Sequence, residues 1–195
     1  CIRCAVVGCG GILNGSRKGD EINAHDYVFR LNHAEIGPRY APDVGNKTSF
    51  YIFFPESADN RLLLDQKAYI TTRLGLMINS FYFQPSYRKL RNPKNVTSHN
   101  LRIVHPDFVR YVFANYLNAT SSRPTTGALT VFLAMHLCDD VTLYGFGYDK
   151  RFSLHYYDKT FVNSTQWKTG SHDVDNERVL WSRLHQENVV TWYQR

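Results

Sequence analysis

At 195 residues the chain has the length of one domain and enough of it to bury a core. Its 23 Lys and Arg exceed its 17 Asp and Glu, for a formal charge of +6, yet they come in ones and twos (Arg17-Lys18, Arg88-Lys89, Lys150-Arg151). That scatter excludes an electrostatic stripe for a nucleic-acid backbone and suits a small anionic substrate, while the absence of any run of eighteen apolar residues excludes a membrane-spanning helix within these residues.

The first forty-eight residues open on a short buried strand, Ala5-Val6-Val7, that runs into a glycine turn at Gly8, Gly10 and Gly11. Such a strand end can bring backbone N–H groups close to a phosphate, so Gly8 is a candidate for nucleotide binding. The dinucleotide fingerprint would want a third glycine at position 13, where Leu13 stands, and glycine turns that bind nothing are common. A second strand is expected over Tyr27–Asn32 and a third over Ser49–Phe54. Asn32, at the second strand's end, could hydrogen-bond a nucleotide or stabilise a turn. The stretch from Pro55 to Leu101 reads as helix, strand and then a turn-rich loop, with an apolar patch from Leu74 to Phe83.

Leu101-Arg-Ile-Val-His is a further strand, stopped by Pro106, and the apolar spacing of Phe108, Val109, Val112, Phe113 and Tyr116 predicts a helix begun by Pro106 or Asp107. Thr125, Thr126 and Gly127 precede a segment that is apolar nearly all round, hence a buried helix, ended by Asp139-Asp140. Their place at its N-terminus suits an anion, and ordinary capping accounts for them equally well. Val141-Thr-Leu-Tyr-Gly-Phe-Gly is then a strand ending in glycines. This alternation predicts an α/β fold, one Rossmann-like domain with a mostly parallel central sheet flanked by helices, in which Gly8 and Gly145 open onto one crevice. Asp173 is placed to cap a last helix, and Val189–Tyr193 to close the sheet.

Two histidines stand out. His172, beside Asp173 and Glu177, could act as a general base if the carboxylates hold its ring, or could merely help cap the helix. His155, among Tyr156, Tyr157 and Asp158, could donate to a phosphate. Cys9 lies in the glycine turn without the flanking glycines of a nucleophile elbow and is read as non-nucleophilic. Cys1-x-x-Cys4 has no second pair downstream, and no H-x-x-x-H or D-x-D pair suggests a divalent metal, so no metal is expected. Five Asn-x-Ser/Thr sequons, at Asn14, Asn46, Asn95, Asn118 and Asn163, point to the secretory pathway and an oxidising lumen. The chain opens directly on a cysteine and a strand, as a domain of a longer protein would.

Taken together, four stretches resemble the motifs of the animal sialyltransferases. The large motif is similar to Cys4-Ala-Val-Val-Gly-Cys-Gly-Gly through Tyr27-Val-Phe-Arg-Leu-Asn and Asp43-Val-Gly-Asn-Lys-Thr. The small motif is similar to Arg123-Pro-Thr-Thr-Gly-Ala-Leu through Cys138-Asp and Tyr144-Gly-Phe-Gly, the third to His155-Tyr-Tyr-Asp, and the very small motif to His172 with Glu177. The resemblance implies a GT-A-like variant fold over residues 1–195 and inverting, metal-independent transfer of sialic acid from CMP-sialic acid to a glycan hydroxyl on glycoproteins or glycolipids. It implies no nucleic-acid partner. It also implies a stem and membrane anchor upstream, as in a single-pass type II protein with its catalytic domain in the Golgi lumen. On this resemblance His172 is the base, His155 stabilises the departing phosphate, and Gly8, Cys9, Asn32, Thr125, Thr126, Gly127 and Tyr156 sit at donor-binding positions. Cys4 and Cys138 match the family's disulfide, and Cys1 would pair upstream if it pairs at all.

One residue departs from the pattern: Cys9 stands where the family has asparagine, and a thiol is a poor hydrogen-bond partner. The stretches Gly11–Arg17, Ala24–Leu31 and Arg123–Leu129, with the closing Trp-Tyr-Gln-Arg, resemble the α-2,6 enzymes acting on O-linked GalNAc. Phe54-Pro-Glu-Ser, Gly145-Phe-Gly-Tyr-Asp and Lys168–Asp173 resemble the α-2,3 enzymes acting on Galβ1-3GalNAc. The greater extent of matching sequence favours the first, and both groups take mucin-type O-glycans. The alternatives are a CMP-sialic acid-binding homologue weakened by Cys9, and a nucleotide-using enzyme of unrelated chemistry.

Overall fold

The computed structural model describes residues 1–54, 74–78, 101–121, 123–161 and 172–195. Among the described residues seven strands make one sheet: β1 (Arg3–Val7), β2 (Tyr27–Leu31), β3 (Phe50–Phe53), β4 (Leu74–Ile78), β5 (Leu101–Val104), β6 (Asp140–Tyr144) and β7 (Thr191–Trp192). Their order is β5-β4-β3-β2-β1-β6-β7 and all six pairings are parallel. The chain steps outward from β1 to β5, then returns across the sheet to lay β6 on the other side of β1. That reversal between β1 and β6 is where an open parallel sheet forms a crevice at the carboxyl ends of its strands.

Strand β1 lies inside the sheet between β2 and β6, and its side chains divide between two cores. Cys4 and Val6 face the layer built by α3 (Pro106–Tyr116), α4 (Thr126–Leu137) and α5 (Val174–Gln186), where Phe132 and Trp181 are the large fillers. Ala5 and Val7 face the other layer, with Ile22, Val28, Val44 and Tyr144. That layer is carried by two short helices, α1 (Gly19–Asn23) and α2 (Ala41–Val44), and a 3-10 turn at Gly11–Leu13. Leu13, where a dinucleotide fingerprint would have glycine, is fully buried in this second core. The resemblance's disulfide is present: Cys4 at the start of β1 is bonded to Cys138 at the C-terminal cap of α4, across 134 residues of sequence.

The buried helix forms where its sequence predicts, with seven of its twelve residues buried, and Thr125 is its N-cap, accepting from the Ala128 amide at 3.0 Å. Helix α3 begins at Pro106, capped by His105, whose Nδ1 accepts from the Asp107 amide. Asp173 caps α5 by accepting from the Asn176 amide. The last strand is shorter than its sequence suggests. The amides of Val189 and Val190 both turn back to the Leu184 carbonyl at the end of α5, so only Thr191 and Trp192 join the sheet. Of the helix, strand and loop expected between Pro55 and Leu101, the strand is β4, within the apolar patch, and the rest lies outside the described residues.

The glycine strand ends are moulded to each other. The Gly8 amide donates to the Tyr144 carbonyl (2.8 Å) and the Gly10 amide to the Gly145 carbonyl (3.1 Å). A Cβ on either Gly8 or Gly10 would sit 2.6 Å from the Gly145 oxygen, and Gly145 itself has φ +70°. These glycines are thus required by the close approach of two strand ends. The expectation that the Gly8 amide reaches a phosphate meets a physical obstacle, since that donor is already used.

Candidate active site

A cavity of about 390 Å³ opens at the carboxyl ends of β1, β2 and β6, roofed by the start of α4 and of α5. Gly8, Cys9, Asn32, Thr125, Thr126, Gly127, His155 and His172 all line it, although they come from five separate stretches of the chain. Tyr156 does not. Its ring is buried behind the glycine turn against Tyr40 and Tyr157, and its hydroxyl donates to the Glu35 carbonyl at 2.6 Å. Tyr156 therefore braces the floor of the cleft, while its backbone amide fastens the His155 segment to the Cys9 carbonyl at 2.9 Å.

Asn32 occupies a left-handed backbone conformation, φ +46°, one residue past β2. Asparagine tolerates that region better than most residues. Its Oδ1 accepts from the Thr126 hydroxyl at 3.4 Å, so β2 and the first turn of α4 meet at this side chain. The start of α4 presents the positive end of a twelve-residue helix to the cleft, an arrangement suited to an anion. Gly127 is held there by packing, because a Cβ would lie 3.0 Å from the Phe146 ring.

His172 is held differently from what its sequence neighbours suggest. Its Nδ1 hydrogen-bonds the Arg123 backbone carbonyl at 3.0 Å, which can only accept, so Nδ1 carries the proton and Nε2 keeps its lone pair. The carboxylates are engaged elsewhere. Asp173 caps α5 and accepts from the Thr120 hydroxyl (2.8 Å), and Glu177 accepts from both the Thr125 amide (2.9 Å) and the Thr125 hydroxyl (2.6 Å). Burial holds the His172 pKa below the ordinary histidine value, in part with the help of the Arg123 charge, and so favours the neutral ring. Burial likewise pushes the Glu177 carboxyl up.

His155 faces the same cleft in the opposite electrostatic setting. Its Nδ1 lies 2.7 Å from Asp158 Oδ2 and its ring stacks on Tyr157, 5.0 Å between centroids and 5° from parallel. Partial burial pushes the Asp158 carboxyl up, but hydrogen bonds from His155 and the Thr160 amide outweigh it and hold the group below the usual carboxylate range. Cys9 supplies little. Burial pushes its thiol up to about 12 against a hydrogen bond from Tyr157, and Sγ makes a long 3.6 Å contact to the Leu31 carbonyl, so it is neither a thiolate nor a strong donor. Among the described residues, no group of three or more His, Cys, Asp or Glu side chains converges on a point that could hold a metal ion.

The cleft thus sets one neutral imidazole with an open Nε2 and one imidazole backed by a carboxylate around the N-terminus of a buried helix. The model of glycosyltransferase family 29 (sialyltransferase) matches residues 1–189. The chain belongs to this sialyltransferase family. It is 39% identical over 237 residues to the alpha-N-acetylgalactosaminide alpha-2,6-sialyltransferase 1 of Homo sapiens, covering 100% of this chain and 38% of the relative. It is 37% identical over 201 residues to the CMP-N-acetylneuraminate-beta-galactosamide-alpha-2,3-sialyltransferase 1 of Pan troglodytes, covering 97% of this chain and 58% of that protein. The chain therefore spans well under two thirds of the length of these relatives. The crystal structure of a mammalian sialyltransferase superposes with a TM-score of 0.81 at 29% identity, over 99% of this chain and 69% of the other. The sialyltransferase sheet and its helices are thus common to both.

Three groups in this sialyltransferase cleft escape sequence reasoning. The Arg123 carbonyl that orients His172 is a backbone atom 49 residues away, with no signal in the residue types. The Glu177 clamp on Thr125 spans 52 residues. Asp158 stands only three residues beyond His155, and that spacing was the available signal for their contact. Of the sequons, Asn14 and Asn118 are exposed and Asn46 is half-buried, while Asn95 and Asn163 lie outside the described residues.

Proposed function

We propose that this domain transfers sialic acid from CMP-sialic acid to a hydroxyl of a mucin-type O-glycan, by an inverting displacement that needs no metal. The observation that carries the reading is the pairing of His172 and His155 on one cleft, each with Nδ1 hydrogen-bonded and Nε2 without a hydrogen-bond partner among the described residues. His172 Nε2 takes the proton of the acceptor hydroxyl as its oxygen attacks the anomeric carbon. The bond from that carbon to the CMP phosphate breaks, and the leaving oxygen is met by His155 Nε2. The start of α4, with Thr125, Thr126 and Gly127, holds donor anion and Asn32 a polar edge of the nucleotide. Cys9 fills a donor-side position with a weak hydrogen-bond partner.

The linkage we favour is α-2,6 to O-linked GalNAc, supported by 39% identity over the full chain to a relative of that name, with α-2,3 transfer to Galβ1-3GalNAc as the second reading. The Cys4–Cys138 disulfide and the exposed Asn14 and Asn118 support an oxidising, glycosylating compartment, the Golgi lumen, for a protein anchored through residues upstream. The test offers GalNAc-O-peptide and Galβ1-3GalNAc-O-peptide side by side with CMP-sialic acid and a metal chelator, and maps the sialylated hydroxyl. The expected product is α-2,6 on GalNAc. His172→Ala with near-normal turnover would remove the base assignment, and CMP-sialic acid binding without turnover in the wild type would establish the weakened homologue.

A further inference from the structure

The transfer reaction leaves the sequons unused, and the fold treats the three described ones unequally. At Asn118-Ala119-Thr120 every residue is exposed, and the Asn118 side chain makes no hydrogen bond among the described residues. Asn118 follows Leu117, the C-cap of α3, and ends the helix in a left-handed turn of φ +51° that asparagine tolerates. Asn46 is half-buried instead. The amides of Asn46 and Lys47 both donate to the Asn23 side chain at 3.0 Å. Thr48, the hydroxyl residue of that sequon, is fully buried and accepts from Arg30 Nε. An N-glycan is a bulky, solubilising surface group, so the first setting admits one and the second sets it against folding.

The exposed sequon also lies beside the cleft. Asn176 Nδ2 donates to the Leu117 carbonyl at 3.1 Å, and the Thr120 hydroxyl donates to Asp173 Oδ2 at 2.8 Å, so the loop is fastened to the first turn of α5. That turn follows directly on His172 and, with Val174 and Glu177, forms part of the cleft lining. Asn118 therefore stands on the wall that carries His172, the residue that meets the acceptor in the proposed reaction. Asn14 is exposed as well, but it ends the 3-10 turn in the other layer, with α1 and α2. We propose that Asn118 carries an N-glycan standing at the acceptor side of the cleft, where its bulk hinders crowded acceptors and lets short ones pass. In the modification Asn118 Nδ2 loses one proton and bonds the anomeric carbon of an oligosaccharide. The lipid diphosphate that carried the oligosaccharide leaves with the electron pair of the broken bond. Occupancy of Asn118 rests on the secretory compartment alone, whereas the selection among acceptors rests on the transfer reading.

The test makes the full-length protein through the secretory pathway of animal cells. Digestion with a peptide N-glycosidase in heavy-oxygen water then labels each asparagine that bore a glycan. Label is expected at Asn118 and not at Asn46; an unlabelled Asn118, or equal labelling of the two, overturns the proposal whatever the activity. Wild type, Asn118→Gly and Asn14→Gln are next compared on GalNAc-O-peptide and on a desialylated mucin. Glycine suits the left-handed turn, so Asn118→Gly removes the glycan and keeps the loop. It should raise kcat/KM on the mucin by about threefold and leave the short peptide within about 1.5-fold. Asn14→Gln, which removes a sequon from the other layer, should move neither. An equal change on both acceptors in Asn118→Gly, or the same gain in Asn14→Gln, overturns the selection. If Asn118→Gly does not fold, trimming the glycans of the folded wild type with an endoglycosidase gives the same comparison, and a mucin rate that trimming leaves unchanged refutes the proposal. A wild type that transfers sialic acid to neither acceptor refutes the transfer reading and leaves the label at Asn118 standing.

Discussion

Substituting Glu177 by glutamine should weaken the cleft and the fold together. Glu177 is 5% exposed, and each of its oxygens takes one donor from Thr125. The amide of glutamine can accept only one of them and turns an NH2 group towards the other, leaving a buried donor unmatched at about 1–3 kcal/mol. The Thr125 hydroxyl also caps α4 through the Ala128 amide, and a disturbed cap adds about 0.5–1 kcal/mol. Against this, removing a buried carboxylate whose pKa is already raised returns part of its desolvation cost. The balance is a loss of about 2 kcal/mol at neutral pH, or roughly 4–8 °C in Tm for a domain of this size. Because the folded pKa is raised, the carboxylate's cost grows as pH rises through it and vanishes at acid pH, so the deficit of the variant should widen as pH falls. Urea unfolding with the disulfide intact, repeated for Thr125→Val and the double variant, gives the coupling directly. Glu177→Gln within about 0.5 kcal/mol of wild type, or strict additivity with Thr125→Val, refutes the clamp.

Burial depresses the His172 pKa, so its neutral, base-competent form persists below the usual histidine range, and the acid limb of kcat/KM should fall under the ordinary value near 6.5; a limb above that value contradicts the assignment. Gly145→Ala forces a side chain into φ +70° with its Cβ 2.7 Å from Leu13 Cδ1, which should cost about 2–5 kcal/mol in urea unfolding; a loss under about 1 kcal/mol would mean that the strand ends yield. Cys9→Asn exchanges a thiol for a group with two strong donors and an acceptor, worth about 1 kcal/mol if it bonds the donor, so the KM for CMP-sialic acid should drop about fivefold; an unchanged KM would remove Cys9 from the donor's surroundings.

What could be foreseen depended on how local each cause is. Strands β1, β2 and β6 announce themselves because centrally buried parallel strands need unbroken apolar residues, and α4 because a helix apolar all round has only the interior to occupy. Helices α1 and α2 were missed. At five and four residues they are too short to carry a period and persist through packing, with Gly19 lying against the Ala41 carbonyl. The histidines of the cleft were legible as residues and not as chemistry. His172 was placed among carboxylates by its sequence neighbours, and the fold turned those carboxylates to other donors. Tyr156 was carried into the donor site with its motif, although its ring is buried against Tyr40 and Tyr157 and its hydroxyl is taken by the Glu35 carbonyl. Contacts over 49 or 52 residues have no counterpart in local pattern, and the first of them sets which nitrogen of His172 carries the proton.

The Cys4–Cys138 bond fastens β1 and α4 at the ends away from the cleft, while their other ends deliver Gly8 and Cys9 on one side and Thr125 to Gly127 on the other. A helix of twelve residues is a rod of about 18 Å. The two elements are therefore like tongs riveted at the handle, whose free ends line two sides of the cleft. Cutting the rivet with a reductant would leave the two cleft walls chemically intact but less firmly spaced, so the reduced domain should lose affinity for CMP-sialic acid, the proposed donor, before it loses its fold.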